Sequence, residues 1–468
     1  MSLLVVENGS IVTMDDQRRI IEDGTVAAEN GRIAYVGPSD KYVFPKKPDN
    51  SIDAKGMAVF PGFINAHCHS IQSLLRGGVS QDKGLTEWLM GVLGPGLSVF
   101  TAEDAYIGAM LFCLETLTSG VTTIVDNADR GRIRFIADAT IKALQDIGVR
   151  AVYARMFRDV QPPDHGTEYD QYNKSFLEET EEAIDSIEAL IRDYHGSADG
   201  RISVWPAPAT PYTASMRSLV GVRELMSTHG VMATLHFAEP KLPVTWIGRS
   251  TESLVKSEFL GPDVLLAHAV WVDDKDLRLL KEHNVKVAHQ PSSNMYLGCG
   301  IAPISQMVSQ GITVGLGTDD ANCNENANLI SEMKMAALLQ KGSSLDSGAI
   351  IAEKILEMAT IDGARAIGLE KEIGSIEVGK KADLTVLNLR TPWFTPCHSI
   401  PATLVYQGFG ATADYTIVDG KILVREGKPM FLRDQDLQEF LVEAQARSDA
   451  IVARAGLKGF SNRPWKTS

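Results

Sequence analysis

A chain of 468 residues is longer than one ordinary core, so one large domain with a smaller one is expected. Apolar content of 44% and charged content of 22% describe a globular protein, and a formal net charge of -14 argues against a nucleic-acid binder, which needs clustered Lys and Arg. The same balance admits metal cations and neutral or basic small molecules. The five cysteines (Cys68, Cys113, Cys299, Cys323 and Cys397) are scattered without CxxC spacing, which fits a reducing cytosol. Glu7 and Asp15 interrupt the first apolar run, so no signal peptide is expected, and no run of about 18 apolar residues predicts a membrane span. A cytoplasmic protein without a membrane partner is the expectation.

In chain order, residues 1–58 read as short strands and tight turns. Leu3–Val6, Thr25–Glu29 and Arg32–Val36 are strand-like, and Asn30-Gly31 supplies the positive φ of a hairpin turn. Residues 373–433 repeat this grammar, with strands at Asp383–Leu387, Tyr415–Val418 and Lys421–Val424 and a turn at Asp419-Gly420. The two ends predict one small β-sandwich; two unrelated β appendages are the alternative. Residues 434–468 read as a helix, Asp434–Ala455, and a tail.

Between them, residues 59–372 alternate strands and helices. Eight strands are predicted: Ala58–Ala66, Thr122–Asp126, Ala151–Met156, Ile202–Pro206, Met232–His236, Val264–His268, Val285–His289 and Thr313–Leu316. Thr101-Ala-Glu-Asp104 is a capping box that opens one helix; Phe176–Asp193 and Glu353–Gly363 give two more. This pattern fits an α/β fold, a (β/α)₈ barrel. An open doubly wound sheet is the alternative, but no GxGxxG or Walker motif supports a nucleotide-binding version.

A barrel puts its chemistry at the carboxyl ends of its strands. Those ends read His67 and His69 in PGFINAHCH, His236 followed by Glu239 in LHFAE, His268 in LLAHAVW, His289 in VAHQPSSN, and Asp319 in GLGTDD. A histidine on an apolar strand is usually a satisfied core residue; five of the ten histidines at strand ends form a pattern. His67, His69, His236 and Asp319 suit one divalent metal per subunit, Zn²⁺ or Fe²⁺, with room for a water. Such a metal lowers the pKa of water to about 7. Glu239, just past the strand end, is the candidate proton carrier. His268 either orients the water or adds a fifth ligand. Strand four, RISVWPAPATP, holds no lysine to bridge a second ion, so one metal is favoured.

Together PGFINAHCH, LHFAE, LLAHAVW, GLGTDD and GSIEVGKKADLTVLNL resemble the amidohydrolase superfamily over essentially the whole chain. VYARMFRD, YHGSADGRISVWPAPAT and EKILEMATIDGAR are similar to its s-triazine hydrolase and aminohydrolase branch, above all to melamine deaminase and atrazine chlorohydrolase. The resemblance implies metal ligation by His67, His69, His236 and Asp319, with Glu239 as acid/base and His268 as water-orienting residue or ligand. It implies substrate-contacting roles for Gln72, Leu85, Trp88, Asn127, Asp129, Met156, Phe157, His289 and Asn294. Asp320 and Cys323 match the deaminase type, where the chlorohydrolase carries Asn and Ser. An amine needs a proton to leave and chloride does not, so an acid–thiol pair suits deamination. A free Cys is otherwise a small buried hydrophobe. His289 and the loop Pro240–Ser250 depart from the triazine pair, which leaves a melamine-like triazine, a purine or a pterin amine open as substrate. A hydrolytic deaminase is thus expected, with dechlorination or dealkylamination of s-triazines as the alternative. A homo-oligomer built from dimers is implied by the resemblance alone.

Overall fold

The computed structural model describes residues 2–79, 82–129, 131–161, 174, 176–241 and 251–457. Its strands are β1 (Leu3–Val12), β2 (Ile20–Glu29), β3 (Arg32–Pro38), β4 (Asn50–Asp53), β5 (Met57–Pro61), β6 (Phe63–Cys68), β7 (Val121–Ala128), β8 (Arg150–Phe157), β9 (Ile202–Pro208), β10 (Ala233–Phe237), β11 (Val264–His268), β12 (Lys286–His289), β13 (Val314–Leu316), β14 (Leu384–Asn388), β15 (Tyr415–Val418), β16 (Lys421–Arg425) and β17 (Lys428–Pro429).

Strands β6 to β13 are the eight barrel strands. They pair as two parallel arcs, β6-β7-β8-β9 and β10-β11-β12-β13. β7 and β8 are buried at every residue, as a parallel sheet covered on both faces requires. Backbone bonds close the two seams between the arcs. Asp319 N donates to His67 O at 3.0 Å, and His236 N donates to Ala209 O at 3.1 Å. Three candidate ligands therefore sit on the seams themselves.

The two chain ends build one nine-stranded sheet in the order β17-β16-β15-β14-β5-β1-β2-β3, with β4 beside β1. It closes over its own core of residues such as Leu4, Val6, Ile33, Val59, Leu384 and Ile417, forming the small sandwich. Both expected turns take left-handed backbone: Asn30 and Gly31 have φ of 49° and 81°, Asp419 and Gly420 of 52° and 74°.

One expected strand is two. Ala58–Ala66 divides at Gly62 into β5, which belongs to the terminal sheet, and β6, which opens the barrel. A Cβ on Gly62 would collide with the side chain of Thr122, which is buried and β-branched. Gly62→Ala is expected to cost about 1–3 kcal/mol by overpacking, read from the denaturation midpoint; an unchanged midpoint would show that β7 yields freely.

Arg150 on β8 joins barrel to sheet through Asp383. Its Nε and Nη2 donate to the two carboxylate oxygens at 2.8 and 3.0 Å, with both residues buried. Helix Ala102–Thr118 starts on the expected capping box: Asp104 N donates to Thr101 Oγ1 at 3.2 Å and Thr101 N to Asp104 Oδ2 at 2.9 Å. The helix expected over Phe176–Asp193 spans Thr180–Tyr194. That over Glu353–Gly363 breaks into Ala352–Met358 and Ile361–Ala366 at Thr360, whose hydroxyl donates back to Leu356 O at 2.6 Å. The C-terminal helix Asp434–Arg454 lies on Ala102–Thr118, with Arg454 on Asp104 at 2.5 Å. Of the loop Pro240–Ser250, residues 242–250 lie outside the described residues, as does the tail from 458. Among the described residues no helix is long and apolar enough to cross a membrane, and all five cysteines are free.

Candidate active site

The strand ends bring four imidazoles and one carboxylate together. His67 Nε2 and His69 Nε2 lie 3.4 and 3.7 Å from Asp319 Oδ1, and His236 Nε2 lies 3.3 Å from His69 Nε2. The His268 ring is centred 5.2 Å from that of His67 and 5.3 Å from that of His236. His268, Ala269 and Asp319 hold left-handed φ of 73°, 47° and 64°, a costly conformation for residues with a Cβ. Specific bonds hold it. His268 N donates to Gln290 Oε1 at 2.9 Å, and Ala269 N donates to Phe237 O at 2.9 Å.

Each ring is gripped at its outer nitrogen. The Asn127 carboxamide lies 2.9 Å from His67 Nδ1, Asp129 Oδ2 2.9 Å from His69 Nδ1, Ala209 O 3.0 Å from His236 Nδ1, and Asn294 Oδ1 2.9 Å from His268 Nδ1. For His69, His236 and His268 the partner is an oxygen that accepts from Nδ1–H, which fixes the tautomer with a lone pair at Nε2, whereas Asn127 meets His67 Nδ1 with its Nδ2. Nε2 of His67 and of His268 are buried without a hydrogen bond. Donor atoms of His67, His236 and His268 fall within 4.8 Å of one another, as do those of His67, His69 and Asp319. Four imidazoles and a carboxylate converging here, with Nε2 of His67 and His268 unpaired, fit a divalent cation of the zinc or iron type.

Electrostatics favour the neutral ring at His67 and His236 but not at His69. Burial and the neighbouring rings His67 and His268 push His236 well below the usual imidazole range, and burial lowers His67 to about 4. Burial opposes charge on His69 too, but Asp320, Asp129 and Asp319 outweigh it and raise that ring. Burial also raises Glu239, Asp320 and Cys323.

The cluster opens into a cleft whose wall includes Leu85, Trp88, Asp129, Met156, Asp320 and Cys323. Glu239 stands at its edge, Oε2 3.9 Å from His268 Nε2. The other expected substrate contacts sit behind the wall. Gln72 donates to Asp129 Oδ2 at 2.7 Å, while Asn127 and Asn294 back the histidines. Phe157 faces an adjoining small cavity with Phe176. His289 is buried with neither ring nitrogen hydrogen-bonded, and burial lowers it to about 3.

The sequence reading missed several residues. Arg158, Tyr212, Thr213 and Leu297 line the cleft from loops that carry no periodic signal. Cys299 Sγ donates to Glu239 Oε1 at 3.7 Å, across 60 residues of chain. Ser293 Oγ donates to Asp319 Oδ2 at 2.7 Å and lies 3.2 Å from Cys323 Sγ. Its place in HQPSSN, beside Asn294, was the available signal.

Residues 58–423 match the model of the Amidohydrolase family. The chain belongs to the amidohydrolase family. It is 36% identical to a 5'-deoxyadenosine deaminase of Methanosarcina mazei over 97% of this chain and 99% of that protein. It is 34% identical to an S-triazine hydrolase of Gordonia rubripertincta over 100% of this chain and 99% of that one. A crystal structure of an adenosine deaminase from Xanthomonas campestris, with bound zinc, shares 27% identity and a TM-score of 0.84 over 96% of this chain and 98% of its own. This amidohydrolase is a hydrolase of C–N bonds.

Proposed function

We propose that this amidohydrolase releases ammonia from the amino-bearing carbon of a flat nitrogen heterocycle, with a 6-aminopurine nucleoside as the leading substrate class. The observation that carries the reading is Glu239, 3.9 Å from His268 at the rim of the histidine–aspartate cluster and in one cleft with Trp88. Deaminase names among full-length relatives support it. His67, His69, His236 and Asp319 would hold a single Zn²⁺, with His268 near enough to His67 and His236 to add a donor. When bound, the ion supplies the Lewis acidity that brings the pKa of a water to about 7.

The protein's own groups do the rest. Asn294 accepts the His268 Nδ1 proton, so the ring offers a lone pair at Nε2 to orient the attacking water. Glu239 takes a proton from that water and returns it to the departing nitrogen, since an amine leaves well only when protonated. The Cys299 thiol occupies Oε1 and leaves Oε2 for the transfer. Burial favours the protonated form of Asp320 which, with Cys323, offers hydrogen-bond donors to the amino group as it turns into ammonia. Trp88 gives a flat face for the ring, and Leu85 and Met156 exclude water beside it.

The S-triazine hydrolase relative, aligned end to end, favours a second reading with a melamine-like triazine as the amine. Ammonia release is measured on adenosine, 5'-deoxyadenosine, a pterin amine, melamine and a chloro-triazine, with metal analysis of the same sample. Ammonia from the purine nucleosides and about one zinc per chain is expected. Ammonia from melamine alone moves the substrate to the triazines, and chloride without ammonia overturns deamination. Iron in place of zinc corrects the metal.

A further inference from the structure

Helix Leu329–Ser344 carries a glutamate in its first turn that is fully buried and takes no part in the cleft wall. Glu332 nevertheless reaches two segments that finish the site, the short helix Pro291–Tyr296 and the turn after β13. Its Oε2 accepts from Ser292 N at 3.1 Å, and its Oε1 from Asn324 Nδ2 at 2.9 Å. Ser292 begins a triplet in which Ser293 donates to Asp319 Oδ2 at 2.7 Å and Asn294 accepts from His268 Nδ1 at 2.9 Å. Asn324 closes the turn: Nδ2 also donates to Thr318 O at 2.7 Å, and its backbone N donates to Asp320 O at 3.0 Å. The turn carrying Asp319, Asp320 and Cys323 thus ends on the same carboxylate as the short helix carrying Ser293 and Asn294.

We infer that Glu332 is a positioning residue that sets the Asp319 carboxylate and the His268 ring relative to each other, acting through Ser292 and Asn324. Two donors arrive, one from a helix and one from a turn, and only a carboxylate presents an acceptor to each. A glutamine would keep one acceptor and turn its NH₂ against the second donor; an alanine would leave both donors buried and unpaired. Burial pushes Glu332 up to about 7, partly offset by the Ser292 and Asn324 hydrogen bonds. A carboxylate is kept in this dry place because both donors need it.

The test uses the full-length protein loaded with Co²⁺. Glu332→Gln and Asn324→Ala are each compared with wild type for the cobalt visible spectrum, metal affinity by chelator competition, melting temperature, and kcat and KM for ammonia release. The inference rests on the hydrolytic reading only for the last readout. Each variant is expected to shift the cobalt spectrum, bind metal about 10-fold more weakly and lose about 10-fold in kcat with KM little changed, the usual scale for a group supporting metal ligands. The double variant should lose no more than about the larger single loss, because both act through one link. Wild-type spectra and metal affinity in both variants would overturn the inference, and a lowered melting temperature alone would make Glu332 merely structural. If Glu332→Gln does not fold, Asn324→Ala decides. If wild type releases no ammonia, the functional reading fails while the spectrum and affinity still judge Glu332.

Discussion

Glu239→Gln is expected to lower turnover about 10³-fold while the metal content stays at the wild-type level. The substitution keeps size and shape, and its oxygen can still accept from the Cys299 thiol found 3.7 Å from Oε1. What disappears is the proton-accepting oxygen 3.9 Å from His268 Nε2. Substrate contacts stay, so the loss should fall on kcat and leave KM nearly unchanged. The pH profile gives a second check. Burial, partly offset by His268, raises the Glu239 carboxyl above its usual range. The group must be ionised to take a proton, so wild-type activity should fall as pH drops through that raised value, and the glutamine variant should lack this limb. Wild-type turnover in metal-replete Glu239→Gln would remove Glu239 from the mechanism.

The second large effect belongs to stability. Arg150→Ala is expected to cost about 3–5 kcal/mol, because it strands Asp383 in a buried site where the guanidinium had met both its oxygens. Asp383 would keep only minor support, such as the Asp419 N–H at 2.7 Å. Denaturant unfolding measures the loss directly. Replacing both partners with apolar residues of similar volume should recover much of it, since no charge then remains buried. A single-variant cost below about 1 kcal/mol would mean that water reaches the pair and screens it.

Much of the site was legible because a barrel converts sequence order into spatial convergence. His67, His236, His268 and Asp319 are far apart in the chain, yet each follows an apolar strand, and strand ends meet at one rim. The depth of a residue behind that rim was not legible. Gln72, Asn127 and Asn294 read as substrate contacts, whereas they grip Asp129, His67 and His268 from behind. Period and spacing state which end of a strand a side chain occupies, not how far it stands from the ligand. Ala58–Ala66 read as one strand although Pro61-Gly62, a common turn dipeptide, interrupts its apolar residues at the crossing from sheet to barrel. Arg158, Tyr212 and Cys299 were invisible because loops carry no periodicity. The helix break at Thr360 depends on a hydroxyl bonding its own backbone, which competes weakly enough with helix to escape composition.

The seating of β14 between β5 and β15 has a bearing on how the molecule is made. Synthesis delivers β5 early, ending at Pro61, and its antiparallel neighbour only at Leu384. Until then Met57–Pro61 presents an apolar strand with one side unpaired, next to a growing barrel, and such edges recruit other chains. The strand that seals this edge follows directly on Asp383, the partner of Arg150, so one late arrival both caps the sheet and bolts it to the barrel. The end of the chain, from β14 on, therefore acts as a clasp on its beginning. A nascent chain released before β14 would carry every histidine of the cluster and still have an open seam beside it.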